Sequence, residues 1–171
     1  EGSEDEWGER CTRDTLILTE YLKENDIRHA TWYSGGGYHV WVMLEEIHTL
    51  PPEELANLLF SGRVIINRWI KEMDLVTIDP VVSFRPDRHI RIPNSFNHKR
   101  KKWSIPVTTE DLESGWKRVS EKAENQSGGM RAYGNKGLEI EIVSHDPNMT
   151  GLTGLFQKFD AAEIAVSARN I

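Results

Sequence analysis

The sequence predicts an α/β protein of the α+β kind, with long helices interleaved among short strands. Three observations carry this. Apolar residues recur at helical spacing over about 4–25 and 51–73, the pattern of helices with one buried face. Between and after them lie short runs rich in β-branched and aromatic residues, at 30–33, 39–44, 75–79, 89–92 and 103–107, which read as strands. Glycine- and proline-bearing stretches punctuate these runs, as turns require.

In the first helix, Leu16, Ile17, Tyr21 and Leu22 form an apolar stripe and Asn25 marks the end. Ala30-Thr31-Trp32-Tyr33 is a strand, Ser34–Tyr38 a turn and His39–Leu44 the returning strand. On the returning strand His39, Trp41 and Met43 share one face, and Val40, Val42 and Leu44 the other. Pro51-Pro52-Glu53-Glu54 opens the second helix, because proline suits a first turn and acidic side chains suit its positive end. Its Leu55, Leu58, Leu59, Ile66, Trp69 and Met73 read as core. Leu75–Asp79 is a short apolar strand, and His89-Ile90-Arg91-Ile92 alternates as a strand does. Pro93-Asn94-Ser95 breaks that run and Trp103–Val107 resumes an extended one. Thr108-Thr109-Glu110-Asp111 caps a short helix. Residues 125–130 read as a flexible segment, Leu138–Val143 as a strand and Asp160–Ala168 as a helix, and no internal repeat is visible.

A chain of 171 residues suits a single domain with a real core. No apolar run approaches the length of a membrane span, so the expectation is a chain without a membrane partner, intracellular and cytoplasmic. One cysteine, Cys11, cannot form an internal disulfide or by itself a thiolate zinc site. A net charge of −6 argues against a protein that coats nucleic acid with its whole surface. Any such site is a local patch, and Arg85, Arg88, Arg91, Lys99, Arg100, Lys101 and Lys102 supply one, with His89 and His98 and only Asp87 opposing.

Two places carry candidate chemistry. In Tyr33-Ser34-Gly35-Gly36-Gly37-Tyr38-His39, glycines between strands let the main chain approach a ligand, and a hydroxyl and an imidazole stand beside them. Such a turn can seat a phosphate chain; an ordinary glycine hairpin with a surface histidine has the same pattern. Asp79 ends an apolar stretch and precedes Pro80. A carboxylate held at a strand end suits a divalent cation, while Asp-Pro is also a frequent way to begin a turn.

Together these elements resemble the archaeo-eukaryotic primase superfamily, the small catalytic subunits and primase-polymerases. The stretch Tyr33–Val42 looks like its serine–glycine–histidine element, Thr77-Ile78-Asp79 its later hydrophobic–aspartate element, and Arg88–Lys99 its arginine–x–proline–x–serine segment. The helix around Thr12–Leu18 resembles the one that precedes the glycine turn there, and the match covers about residues 12–107. The resemblance implies a mixed sheet of the palm type related to RNA-recognition motifs, flanked by helices. It implies a DNA primase-type nucleotidyltransferase, acting in replication, that makes or extends primers on single-stranded DNA with Mg²⁺ or Mn²⁺. Asp79 would hold the metal. Ser34, Gly35, Gly36 and His39 would hold the triphosphate of a nucleoside triphosphate, with Arg91, Ser95, Asn97, His98 and Lys99 completing the clamp. Arg88, Arg100, Lys101 and Lys102 would face the template, and a primase large subunit or a fused helicase would be the partner.

Three departures qualify the resemblance. Gly36 stands where the family often carries arginine. The histidine expected after serine–x falls on Asn97, with His98 one place later. The family's aspartate–hydrophobic–aspartate strand would precede Glu1, so the chain reads as an N-terminally truncated piece of a polymerase. The other expectation is a nucleotide- or single-strand-binding module on the same fold without chemistry. A third reading takes Trp32, Trp41 and Trp103 as a stacking surface for single strands.

Overall fold

The computed structural model describes residues 3–44, 52–80, 83, 89–126 and 133–140, with 52 and 53 described by backbone only. Helix α1 spans Glu4–Glu24, and its start is written in the sequence. The Ser3 hydroxyl accepts from the Glu6 amide at 3.2 Å while the Glu6 carboxylate accepts from the Ser3 amide at 2.8 Å, a reciprocal capping box. Glu4, Asp5 and Glu6 lie at the positive end of the helix dipole. Asp26, with φ of 55°, turns the chain out of the helix.

Strands β1 (His29–Tyr33) and β2 (Tyr38–Val42) form an antiparallel hairpin in the register Tyr33 to Tyr38, Trp32 to His39 and Ala30 to Trp41. Helix α2 spans Pro52–Glu72. Later come a small hairpin of β3 (Phe96–Asn97) and β4 (Lys102–Trp103), then β5 (Ile105–Pro106) on the other side of β1. The sheet order is β2–β1–β5, so the outer side of β2 is a sheet edge among the described residues. Helices α3 (Thr109–Glu113) and α4 (Trp116–Lys122) close the described fold, α3 under a second capping box made by Thr108 and Asp111. One apolar cluster joins α1, α2 and Leu75 through Leu18, Leu22, Ile65, Ile66 and Trp69. A second joins β1, β5, α3 and α4 through Tyr33, Ile105, Leu112, Trp116 and Val119. Among the described residues no helix is long and apolar enough to cross a membrane.

The α+β class is as expected; several details differ. All named strands pair antiparallel, and parallel pairing is confined, among the described residues, to isolated bridges of Ile27 with Lys136 and Leu44 with Leu138. Residues 75–79 are not a strand, because the amides a ladder would use are taken elsewhere. Leu75 donates to the Ile70 carbonyl at 3.0 Å, and Val76 and Thr77 donate to the Asp14 carboxylate, each at 2.7 Å. Nor is 89–92 a strand: Ile90 and Ile92 are 45% and 72% exposed, and the Ile92 carbonyl closes a turn onto Ser95. The extended run at 103–107 is split at Ser104 between β4 and β5. On α1 the buried apolar side chains are Cys11, Leu18 and Leu22, while Leu16, Ile17 and Tyr21 flank them. On α2 Phe60 and Ile65 join Ile66 and Trp69 inside, whereas Leu55 is exposed. The expected helix at 160–168 and residues 127–130 and 141–143 lie outside the described residues.

Candidate functional site

The turn Ser34–Gly37 joins β1 to β2 and is closed on itself. Both the amide and the hydroxyl of Ser34 donate to the Gly37 carbonyl, at 2.8 and 3.0 Å. Gly35 takes φ of 92°, a left-handed backbone that only glycine adopts without strain. A Cβ there would also stand 2.8 Å from the Asn97 side-chain nitrogen. Asn97 clips this turn to the basic one: its Nδ2 donates to the Ser34 carbonyl at 3.0 Å and its Oδ1 accepts from the Arg100 amide at 3.2 Å. Asn97 is buried, and its amide ties the two turns together. Gly36 is exposed, and the Arg100 Nε lies 3.6 Å from where its Cβ would be. A guanidinium from the basic turn therefore stands beside Gly36.

His39 lies on the sheet face shared with Trp32 and Trp41, its ring 5.4 Å from that of Trp32. Tyr38 turns to the other face and meets Thr12 of α1, hydroxyl to hydroxyl, at 2.9 Å. Burial and then the Arg91 cation hold the His39 pKa below its ordinary value. Arg91 is half-buried and reaches the Phe96 carbonyl at 3.4 Å. The Ser95 hydroxyl donates to the Ile92 carbonyl at 2.6 Å. His98 is exposed against the edge of Phe96, with ring centres 5.0 Å apart.

A cleft of about 690 Å³ runs past the outer edge of β2, between it, α1, α2 and residues 77–79. Gly36, Gly37, His39, Thr77, Asp79 and Ile90 are among the residues lining it. Asp79 is exposed at its rim, and its carbonyl accepts from the Ser83 amide and hydroxyl at 3.2 and 3.0 Å. Asp79 is the single carboxylate among the described lining residues, and no group of three or more His, Cys, Asp or Glu side chains comes together elsewhere among the described residues. One carboxylate suits a cation that arrives with a triphosphate, since Mg²⁺ is commonly held by one or two carboxylates plus substrate phosphates.

In the basic turn, Arg100 pairs with Glu4 at 2.5 Å and Lys102 with Glu124 at 2.8 Å. Lys99 and Lys101 are exposed, and Lys101 takes φ of 53° to close the turn. Arg88 lies outside the described residues. Of the three tryptophans read as a stacking surface, Trp32 is wholly buried, while Trp41 and Trp103 are half-buried.

The sequence reading gave no role to Asp14, Thr12 or Thr77. Asp14 is 1% exposed, and its Oδ2 accepts from the amides of Val76 and Thr77 and from the Thr77 hydroxyl. A signal for it existed. Asp14 stands one turn before Leu18 and two before Leu22 on the buried stripe, where an acid needs a partner.

No family model, curated protein or solved structure matches the chain.

Proposed function

We propose that this chain is a primase-type nucleotidyltransferase module that binds a nucleoside triphosphate in the cleft beside β2, for primer synthesis or extension on single-stranded DNA. The observation that supports it most is convergence. The glycine turn, His39 and Asp79, distant in sequence, line one cleft, and the Arg91 charge reaches His39. Phosphoryl transfer asks chiefly for positioning and charge neutralisation, and these residue types supply both. Asp79 would hold a divalent cation, which when bound neutralises phosphate charge and orients the leaving group. His39 donates an N–H to a phosphate oxygen, and Arg91 and Lys99 balance the remaining charge. The open side of Gly36 and Gly37 lets the phosphates approach the main chain.

A second reading is a nucleotide-binding module without chemistry, favoured by the single carboxylate among the described cleft residues. Calorimetric titration with a nucleoside triphosphate, with and without Mn²⁺, tests both. Metal-enhanced binding that is weakened by about 1.5–3 kcal/mol in His39→Ala is expected, the usual worth of a charged hydrogen bond. Binding that ignores the metal selects the second reading, and no binding at all removes both.

A further inference from the structure

The geometry points to Asp14 as the positioning residue that aims Asp79, an inference that rests on the proposed metal role of Asp79. An acid in the middle of a helix, 1% exposed, is costly to bury. A leucine there would serve packing better, and buried charges often fail to outperform apolar replacements. The Asp14 carboxylate instead gathers three donors from one short stretch. The Val76 amide at 2.7 Å, the Thr77 amide at 2.7 Å and the Thr77 hydroxyl at 2.9 Å all converge on Oδ2. Two successive amides aimed at one oxygen set the backbone direction there. Residues 75–79 have no strand partner among the described residues, so this carboxylate does the orienting that a sheet ladder would otherwise do.

The same turn of α1 also fixes the other side of the cleft. Thr12 meets the Tyr38 hydroxyl at 2.9 Å, next to His39, while Asp14 holds Thr77, two residues before Asp79. One helical turn therefore sets the spacing between the imidazole and the carboxylate across the cleft. Asp14 does not line the cleft; it acts through the backbone of 76–77.

The test is Mn²⁺ affinity in the presence of a nucleoside triphosphate, read from the electron spin resonance of free Mn²⁺. It compares Asp14→Asn, Thr77→Val and Thr77→Ser with Val119→Ala, a core variant in the second apolar cluster. All are measured well below their melting temperatures. Asp14→Asn should weaken Mn²⁺ binding by about tenfold or more, the scale for losing a group that orients a metal ligand. Thr77→Val should weaken it less, and Thr77→Ser, which keeps the hydroxyl, should bind as the wild type does. Val119→Ala should lose stability and keep its affinity. Wild-type affinity in a folded Asp14→Asn overturns the inference and leaves Asp14 a purely structural acid. If Asp14→Asn does not fold, Thr77→Val decides by the same criterion. A wild-type protein that binds no Mn²⁺ overturns the functional reading first, and the positioning role with it.

Discussion

His39 is held below its ordinary pKa by burial and by the Arg91 cation, so near neutral pH it is an uncharged imidazole with one N–H to give. A triphosphate arriving beside it favours the protonated ring, so binding takes up a proton. Affinity should then rise as pH falls from above neutrality toward the pKa of the free protein, and level off below it. One proton limits the slope to about tenfold per pH unit. Arg91→Ala removes a cation that disfavours the charged ring, so the point of levelling moves to higher pH even as overall affinity drops. Titration calorimetry across a pH series checks both, and a profile in His39→Gln as steep as that of the wild type would show that another group takes the proton. The sign for stability is separate. A histidine whose pKa is lowered by folding binds its proton more readily when unfolded, so it favours the folded state least at acid pH.

At the scale of elements, two glycines report how tightly the parts are fitted. Gly35→Ala meets a left-handed backbone and the Asn97 amide together, so it should cost about 1–3 kcal/mol and loosen the clip between the glycine and basic turns. Gly8→Ala would drive a methyl into the Trp116 indole where α1 crosses α4, an overpacking of about 1–3 kcal/mol. Gly36→Ala meets only an ordinary contact with Arg100 and should be near neutral. Chemical denaturation ranks the three, and equal losses would refute the fit described here. The pieces that could be read in the sequence are those whose causes are local. Thr108 with Asp111 begins α3, and a glycine turn joins two strands. The pieces that could not are set by partners distant in sequence. Leu75–Asp79 has the composition of a strand, but an acid on α1 holds its amides. The bridge that the Asn97 amide makes between two loops was likewise not visible in the sequence. Asp14 required knowing which face of α1 turns inward, and the apolar stripe of Leu16, Ile17 and Tyr21 pointed slightly away from it.

Across the whole molecule, the excess of acid over base reaches into the basic turn itself. The chain carries −6 overall, and α1 places Glu4 against Arg100 while Glu124 sits against Lys102. Exposed pairs of this kind are worth at most about 1 kcal/mol, so a nucleic-acid phosphate can displace the carboxylate. The exchange nevertheless blunts the gain, because Arg100 gives up one anion as it takes another. Glu4→Gln removes the competitor and keeps the shape. Binding of an oligodeoxythymidylate should tighten, and its dependence on salt should steepen by up to about 0.7 in log–log slope, because Arg100 then neutralises a phosphate without freeing a carboxylate that takes up a cation in exchange. Arg100→Ala made on top of Glu4→Gln should abolish that increment, whereas Lys101→Ala should lower the slope in either background. Fluorescence anisotropy over a salt series reads these slopes directly. An unchanged slope in Glu4→Gln would mean that Arg100 faces no template phosphate, leaving it to support the glycine turn beside Gly36.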